Sequence, residues 1–154
     1  MNYHQYYPID VVNGPGTRCT LFVSGCIHKC KGCYNATTWK PTSGKLFDET
    51  AENCIISDLQ NTQIKRQGLS LSGGDPLYPG NLSAILQLVK RVKNECVGKD
   101  IWLWTGYSIN DLTHEQQQIV DLVNVVVDGK FMQELKDVNL IWRGSSNQII
   151  HYLR

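Results

Sequence analysis

The chain has 154 residues, enough for one domain with a real hydrophobic core. Hydrophobic residues at 42% and charged residues at 19% are ordinary for a globular protein. The net charge of +1 leaves no electrostatic footprint for nucleic acid or an anionic membrane.

Met1 to Pro8 shows no basic flank followed by an apolar run, which speaks against a secretory leader. No later run approaches the ~20 apolar residues of a membrane span, so the expected location is the cytoplasm. The first predicted strand covers residues 19–23, Cys-Thr-Leu-Phe-Val, and leaves through Ser24-Gly25 into Cys26, Cys30 and Cys33. Helical spacing follows from Asp48 to about Asn61, carrying Ile55, Ile56 and Leu59. A second strand at residues 69–71 exits into Ser72-Gly73-Gly74-Asp75-Pro76. Asn81 is the predicted cap of a helix whose apolar face runs through Leu82, Ile85, Leu86, Val89, Val92 and Cys96. Lys90, Arg91 and Lys93 form its wet side.

A third strand at residues 101–104 ends in Thr105-Gly106-Tyr107. Thr113 with Gln116 has capping-box form and opens a helix carrying Ile119 and Val120, with Val123 on the same face. The last predicted strand, residues 123–127, ends in Asp128-Gly129. Strands alternating with helices predict an α/β fold with a mostly parallel sheet, and parallel sheets gather ligands at the carboxyl ends of their strands. The cysteines and all three later glycine turns fall on that edge.

Three cysteines within eight residues of a chain with no secretory signal point to metal or redox chemistry rather than a disulfide framework. Cys-x3-Cys-x2-Cys can hold three corners of an iron–sulfur cube and leave the fourth iron open; an electron carrier would supply four thiolates. The alternative is structural zinc, with His28 as fourth ligand beside Cys26, Cys30 and Cys33. Cys54 and Cys96 are in phase with apolar neighbours and read as small core residues, as does Cys19, which alternates with Leu21 and Val23. His4, His114 and His151 lack ligand partners at metal spacing.

The segment from Gly14 to Asn35, with its Gly-Pro-Gly-x-Arg lead-in, Phe22 four residues before Cys26 and Tyr34 after the last cysteine, resembles the signature of radical S-adenosylmethionine enzymes. More narrowly, it is similar to the activases that install a glycyl radical in a partner enzyme. Trp104-Thr105-Gly106-Tyr107, Asp128-Gly129-Lys130-Phe131 and the run from Arg143 to Gln148 extend the likeness over nearly the whole chain. They place it nearest the subfamily serving anaerobic (class III) ribonucleoside-triphosphate reductase.

The resemblance implies one domain over residues 1–154, a partial βα barrel that is minimal and open on one side, and a [4Fe-4S] cluster on Cys26, Cys30 and Cys33. It implies S-adenosylmethionine as cosubstrate, contacted by Gly32, Cys33, Tyr34, Gly73, Gly74 and Asp75. Reductive cleavage would give a 5′-deoxyadenosyl radical that takes hydrogen from a glycine of the partner reductase, with reduced flavodoxin as electron donor. For Asp75 two readings stand, a hydrogen bond to the methionine ammonium or a cap on the turn before Pro76. Thr105, Tyr107 and Asp128 are either pocket wall or turn chemistry, and residues 143–148 a polar turn or a docking surface. Arg18 either pairs with a carboxylate or the partner, or is a solvated charge. The competing functions are a pyruvate formate-lyase type activase and a plain iron–sulfur electron carrier.

Overall fold

The computed structural model describes residues 1–154. Seven strands form one open sheet: β1 (Asn2–Asp10), β2 (Arg18–Val23), β3 (Lys45–Leu46), β4 (Gly68–Gly73), β5 (Asp100–Trp104), β6 (Val125–Asp128) and β7 (Ile149–Tyr152). Their order is β3-β1-β2-β4-β5-β6-β7, with the end strands unpaired to one another. The parallel centre, β2-β4-β5-β6, is the set of four strands expected from the sequence. The rest of the sheet differs from expectation. β1 and β7 pair antiparallel on the two flanks, and β3 pairs antiparallel with β1, so the sheet is mixed. β1 carries no strand signal in the sequence because most of its residues are polar or aromatic and all are half-buried or exposed, without a clean apolar alternation.

Three helices fill the crossovers. α1 (Glu49–Gln60) starts at Asp48, whose side chain accepts from the Ala51 amide at 2.9 Å, and Glu49 and Glu52 add favourable charge in its first turn. α2 (Leu82–Glu95) buries Ile85, Leu88, Val89 and Val92. Asn81 precedes it without capping it: its side-chain amide donates to the carbonyls of Ser24 and Asp75, so this residue joins strand ends instead. α3 (His114–Val120) opens with the complete Thr113–Gln116 capping box.

The main core lies between these helices and one sheet face, where Leu21, Leu69, Leu71, Ile101, Leu103 and Val126 are wholly buried. Each such side chain contributes about 1.5–3 kcal/mol of transfer free energy. The other face carries Trp102, Val125 and Val127 with Trp104, Trp142 and Ile150. At its amino end sits Arg18, a wholly buried guanidinium. It donates to Ser70 Oγ at 2.7 Å, to the Leu69 carbonyl at 3.0 Å and to Asp100 Oδ1 at 2.6 Å. A buried cation is tolerable only with such partners. Arg18 therefore pins β2, β4 and β5 together at the end remote from the cysteines, and is neither a solvated charge nor a group available to a partner.

Candidate metal centre

The carboxyl ends of β2 and β4 approach so closely that side chains are excluded. A Cβ on Gly73 would lie 2.4 Å from the Val23 nitrogen, and one on Gly74 would lie 2.5 Å from the Gly25 oxygen. Gly73 also has φ of 105°, a conformation that L side chains rarely adopt. Amides of Gly74 and Asp75 donate to the carbonyls of Val23 and Gly25 at 2.7 and 2.8 Å, locking the two strand exits. The glycine pair thus answers to backbone packing as well as to any ligand above it.

From Gly25 the chain enters the cysteine loop, anchored where the Gly25 and Cys26 amides donate to the carbonyls of Thr38 and Trp39. Lys29, with φ of 49°, and Gly32, with φ of 75°, turn the loop back on itself. The Cys33 amide donates to the Cys30 carbonyl at 3.2 Å, and the Asn35 amide to Cys33 Sγ at 3.4 Å. Cys26, Cys30 and Cys33 all face a cavity of about 400 Å³ on the sheet face away from the helices. Its floor includes Ser72, Gly73 and Gly74, and its walls include Tyr34, Thr105, Phe131 and Trp142. Burial pushes the Cys26 thiol up to about 11 and raises that of Cys30 as well. Without a metal Cys26 and Cys30 are neutral thiols at physiological pH; a bound cation would displace their protons.

The other three cysteines lie elsewhere. Cys19 Sγ donates to the Pro8 carbonyl at 3.5 Å and Cys96 Sγ to the Ile56 carbonyl at 3.9 Å, both on the helix side. Both are buried, as the sequence suggested. Cys54 is not: it is exposed on α1, because Ile55, Ile56 and Leu59 occupy the inward stripe. No fourth thiol reaches the cavity.

His28 is committed to another contact. Its Nε2 lies 2.7 Å from Asp75 Oδ2, and its ring packs edge-on against Tyr107 at 4.6 Å. Cys26, His28 and Asp75 offer ligand atoms within 4.8 Å of one another. Even so, the carboxylate that would accompany His28 on a metal is already saturated. Asp75 is wholly buried, and besides His28 it accepts from Thr105 Oγ1 (2.8 Å), the Gly106 amide (2.9 Å) and the Leu77 amide (2.8 Å). It caps the turn before Pro76 and crosslinks the exits of β4 and β5.

Among the remaining expected wall residues, Thr105 lines the cavity, whereas Tyr107 stands behind His28. Asp128 turns away, accepting from the Ile109 amide at 2.8 Å and contacting His151 Nε2 at 2.9 Å. Residues 143–148 form a polar turn that also lines the cavity. The Gly144 amide donates to Gln148 Oε1, Arg143 Nη1 donates to the Gln148 carbonyl, and Gln148 Nε2 donates to the Gly129 carbonyl.

Two features had no sequence signal. Trp142 has φ of 60°, unusual for a bulky residue, and is held there by the Trp104 Nε1 donor on its carbonyl at 2.7 Å and by its ring packing on Trp102. The only buried side-chain polar atoms without a partner in the whole protein are Trp39 Nε1 and Arg143 Nε, and both residues line this cavity. Buried orphan donors mark a place built for an acceptor. Three soft thiols on one cavity, with no protein group for a fourth corner, fit an iron–sulfur cube and do not complete a four-ligand structural zinc site.

Residues 12–151 match a family model described as a 4Fe-4S single cluster domain. The chain is 66% identical to the anaerobic ribonucleoside-triphosphate reductase-activating protein of Escherichia coli (strain K12), over 154 residues and the full length of both. The protein of that name from Vibrio cholerae is 66% identical over 151 residues, 98% of this chain and 97% of the relative. The one from Enterobacteria phage T4 is 49% identical over 148 residues, 96% and 92% of the two chains. The chain belongs to the family of anaerobic ribonucleoside-triphosphate reductase-activating proteins. No helix is long and apolar enough to cross a membrane.

Proposed function

We propose that residues 1–154 are one radical S-adenosylmethionine domain, its open sheet serving as a partial barrel, that activates anaerobic ribonucleoside-triphosphate reductase in the cytoplasm. The observation carrying this reading is the three-thiol cavity, with Cys19, Cys54 and Cys96 held away from it. Cys26, Cys30 and Cys33 would hold the [4Fe-4S] cluster, leaving one iron for the amino and carboxylate groups of S-adenosylmethionine. When bound, the pair supplies one-electron cleavage of the sulfonium to methionine and a 5′-deoxyadenosyl radical, which takes hydrogen from a glycine of the reductase.

The chain's own groups do the rest. Gly73 and Gly74 would bring backbone to the methionine moiety, and the orphan Nε of Arg143 gives the cavity wall a cationic donor. Cys33 and Tyr34 line the cavity and would border the nucleoside, with Gly32, outside the cavity lining, turning the loop before them; Tyr34 is exposed beside Phe131, with ring centroids 5.7 Å apart. Asp75 serves the site by fixing the β4 and β5 exits; an ammonium contact would add to bonds already made. Thr105, Trp104 and Trp142 exclude water, so a reactive species meets the partner rather than solvent.

The test is anaerobic reconstitution with iron and sulfide, followed by reductant and S-adenosylmethionine. Expected products are methionine and 5′-deoxyadenosine, and a glycyl radical seen by electron paramagnetic resonance when the anaerobic reductase is added. Absence of deoxyadenosine from fully loaded protein would refute the mechanism. A radical formed on pyruvate formate-lyase and not on the reductase would assign the other partner.

A further inference from the structure

Two hollows share the cysteine loop as a common wall. Behind the cavity lies a second space of about 530 Å³, bordered by Cys26, Ile27, Lys29, Trp39, Lys40 and Tyr78. Cys26 is the only cysteine that lines both spaces, and Trp39 lines both as well. One corner of the metal centre is therefore approachable from outside while the inner cavity is filled.

The outer space sits in an unusual stretch of charge. From Val11 to Phe47 there is no Asp or Glu, but there are five basic residues, Arg18, Lys29, Lys31, Lys40 and Lys45. Arg18 is buried and paired; the four lysines are exposed and none joins an ion pair. The rest of the chain holds ten Lys and Arg against all fourteen Asp and Glu. A net charge of +1 thus hides a segregation: positive around the cysteines, negative elsewhere. Ile27, more than half exposed at 56%, gives the positive patch an apolar contact point.

We propose that this outer hollow is the docking surface for an acidic one-electron carrier protein. The inference rests on the function proposed above, which requires a cluster to be reduced before each cleavage. A carrier has to deliver its electron while the nucleoside occupies the inner cavity, and the Cys26 side of the loop is the approach that remains. The reductase is the poorer fit, since its glycine has to enter the inner cavity on the other side of the loop. Unpaired lysines steer an acidic partner and raise its association rate. In the step itself the carrier is oxidised by one electron and the cluster is reduced by one; no bond forms and no proton moves.

The experiment compares native protein with Lys29→Glu/Lys40→Glu and with Lys40→Glu alone, which leaves the cysteine loop untouched. Flavodoxin hydroquinone is the probe, with cluster bleaching followed by anaerobic stopped flow at low and high ionic strength. The double variant is expected to lose about tenfold or more in second-order rate at low salt, the single variant less, with both gaps narrowing as salt rises. Calorimetric affinity of oxidised flavodoxin for cluster-free protein falls in parallel. In Lys40→Glu, iron content and dithionite-driven deoxyadenosine formation stay native, because a small reductant needs no docking. Native rates with flavodoxin in both variants would overturn the proposal, as would an equal loss with dithionite in Lys40→Glu. Variants that bind the reductase less well yet accept electrons at the native rate would transfer the surface to the reductase and refute the carrier. If loaded native protein yields no deoxyadenosine with dithionite, the proposed function fails, while the flavodoxin affinities still judge the docking surface on their own.

Discussion

His28 Nε2 and Asp75 Oδ2, 2.7 Å apart, join the cysteine loop to the carboxyl end of β4. The same carboxylate holds Thr105 and Gly106 at the end of β5, so one buried side chain ties three segments of the site. Asp75→Ala would strand the Thr105 hydroxyl, two backbone amides and the imidazole without water. Leaving several buried groups unpaired is expected to lower stability by about 3 kcal/mol or more. Asp75→Asn keeps the shape and part of the bonding and should lose less. Urea unfolding of reduced, metal-free protein reads this without any cofactor; an Ala variant within about 0.5 kcal/mol of native would contradict the crosslinking role.

The six cysteines should divide cleanly by iron content. Ala at Cys26, Cys30 or Cys33 is expected to prevent a stable four-iron cluster, seen as lost iron and lost visible absorption. Ala at Cys19, Cys54 or Cys96 should leave iron content unchanged. Cys96→Ala removes a buried sulfur and is expected to lower stability by about 1–2 kcal/mol, whereas exposed Cys54→Ala should be nearly neutral. A cluster that survives Cys30→Ala, or disappears with Cys19→Ala, would overturn the ligand assignment.

Gly74→Ala would drive a methyl group against the Gly25 carbonyl at 2.5 Å, with backbone on both sides and nothing flexible to yield. The expected result is a loss of about 2 kcal/mol or more together with poor cluster retention, since the displaced segment carries Cys26. Gly98→Ala is the contrast: a Cβ there meets nothing within 4 Å, leaving only the strain of φ 87°, about 1 kcal/mol. Equal thermal melts for the two variants would show that the strand exits are looser than their geometry implies.

At the end of β1, Asp10 accepts from Thr20 Oγ1 at 2.6 Å, Asn13 Nδ2 at 2.7 Å and the Val12 amide at 3.0 Å. Burial pushes its carboxyl up, but these donors outweigh burial and hold it below the ordinary 3.8. A depressed folded value means stability that is present above 3.8 and lost as pH falls through the still lower folded value. Asp10→Asn should therefore destabilise the protein near neutral pH, with the gap to native closing below that point. Denaturant midpoints across acid pH check the sign; a gap that widens on acidification would refute it.

The centre of the fold was legible because its strands are short, apolar and followed by glycine turns, while Asp48 and Thr113 mark helix starts by side-chain chemistry that acts locally. β1 and β7 were not, since flanking strands whose residues are half-buried or exposed carry no strong apolar period. Asn81 looked like a cap and became a clamp on Ser24, because a tertiary partner outcompeted the adjacent helix. At the site, Cys26, Cys30, Cys33, Gly73 and Gly74 could be named from spacing and resemblance, and all five lie on one cavity. The engagement of His28 with Asp75 was invisible, as 47 residues separate them and no local pattern announces the contact. Trp39 and Trp142 were hidden for the same reason.

The sheet divides the thiols into two populations that cannot meet: Cys19, Cys54 and Cys96 on the helix side, and Cys26, Cys30 and Cys33 around the cavity. Within one molecule, oxidation of the empty site can thus join Cys26, Cys30 and Cys33 only to one another. Damage by air stays local and reversible by an external thiol, and the scaffold remains intact to be charged again.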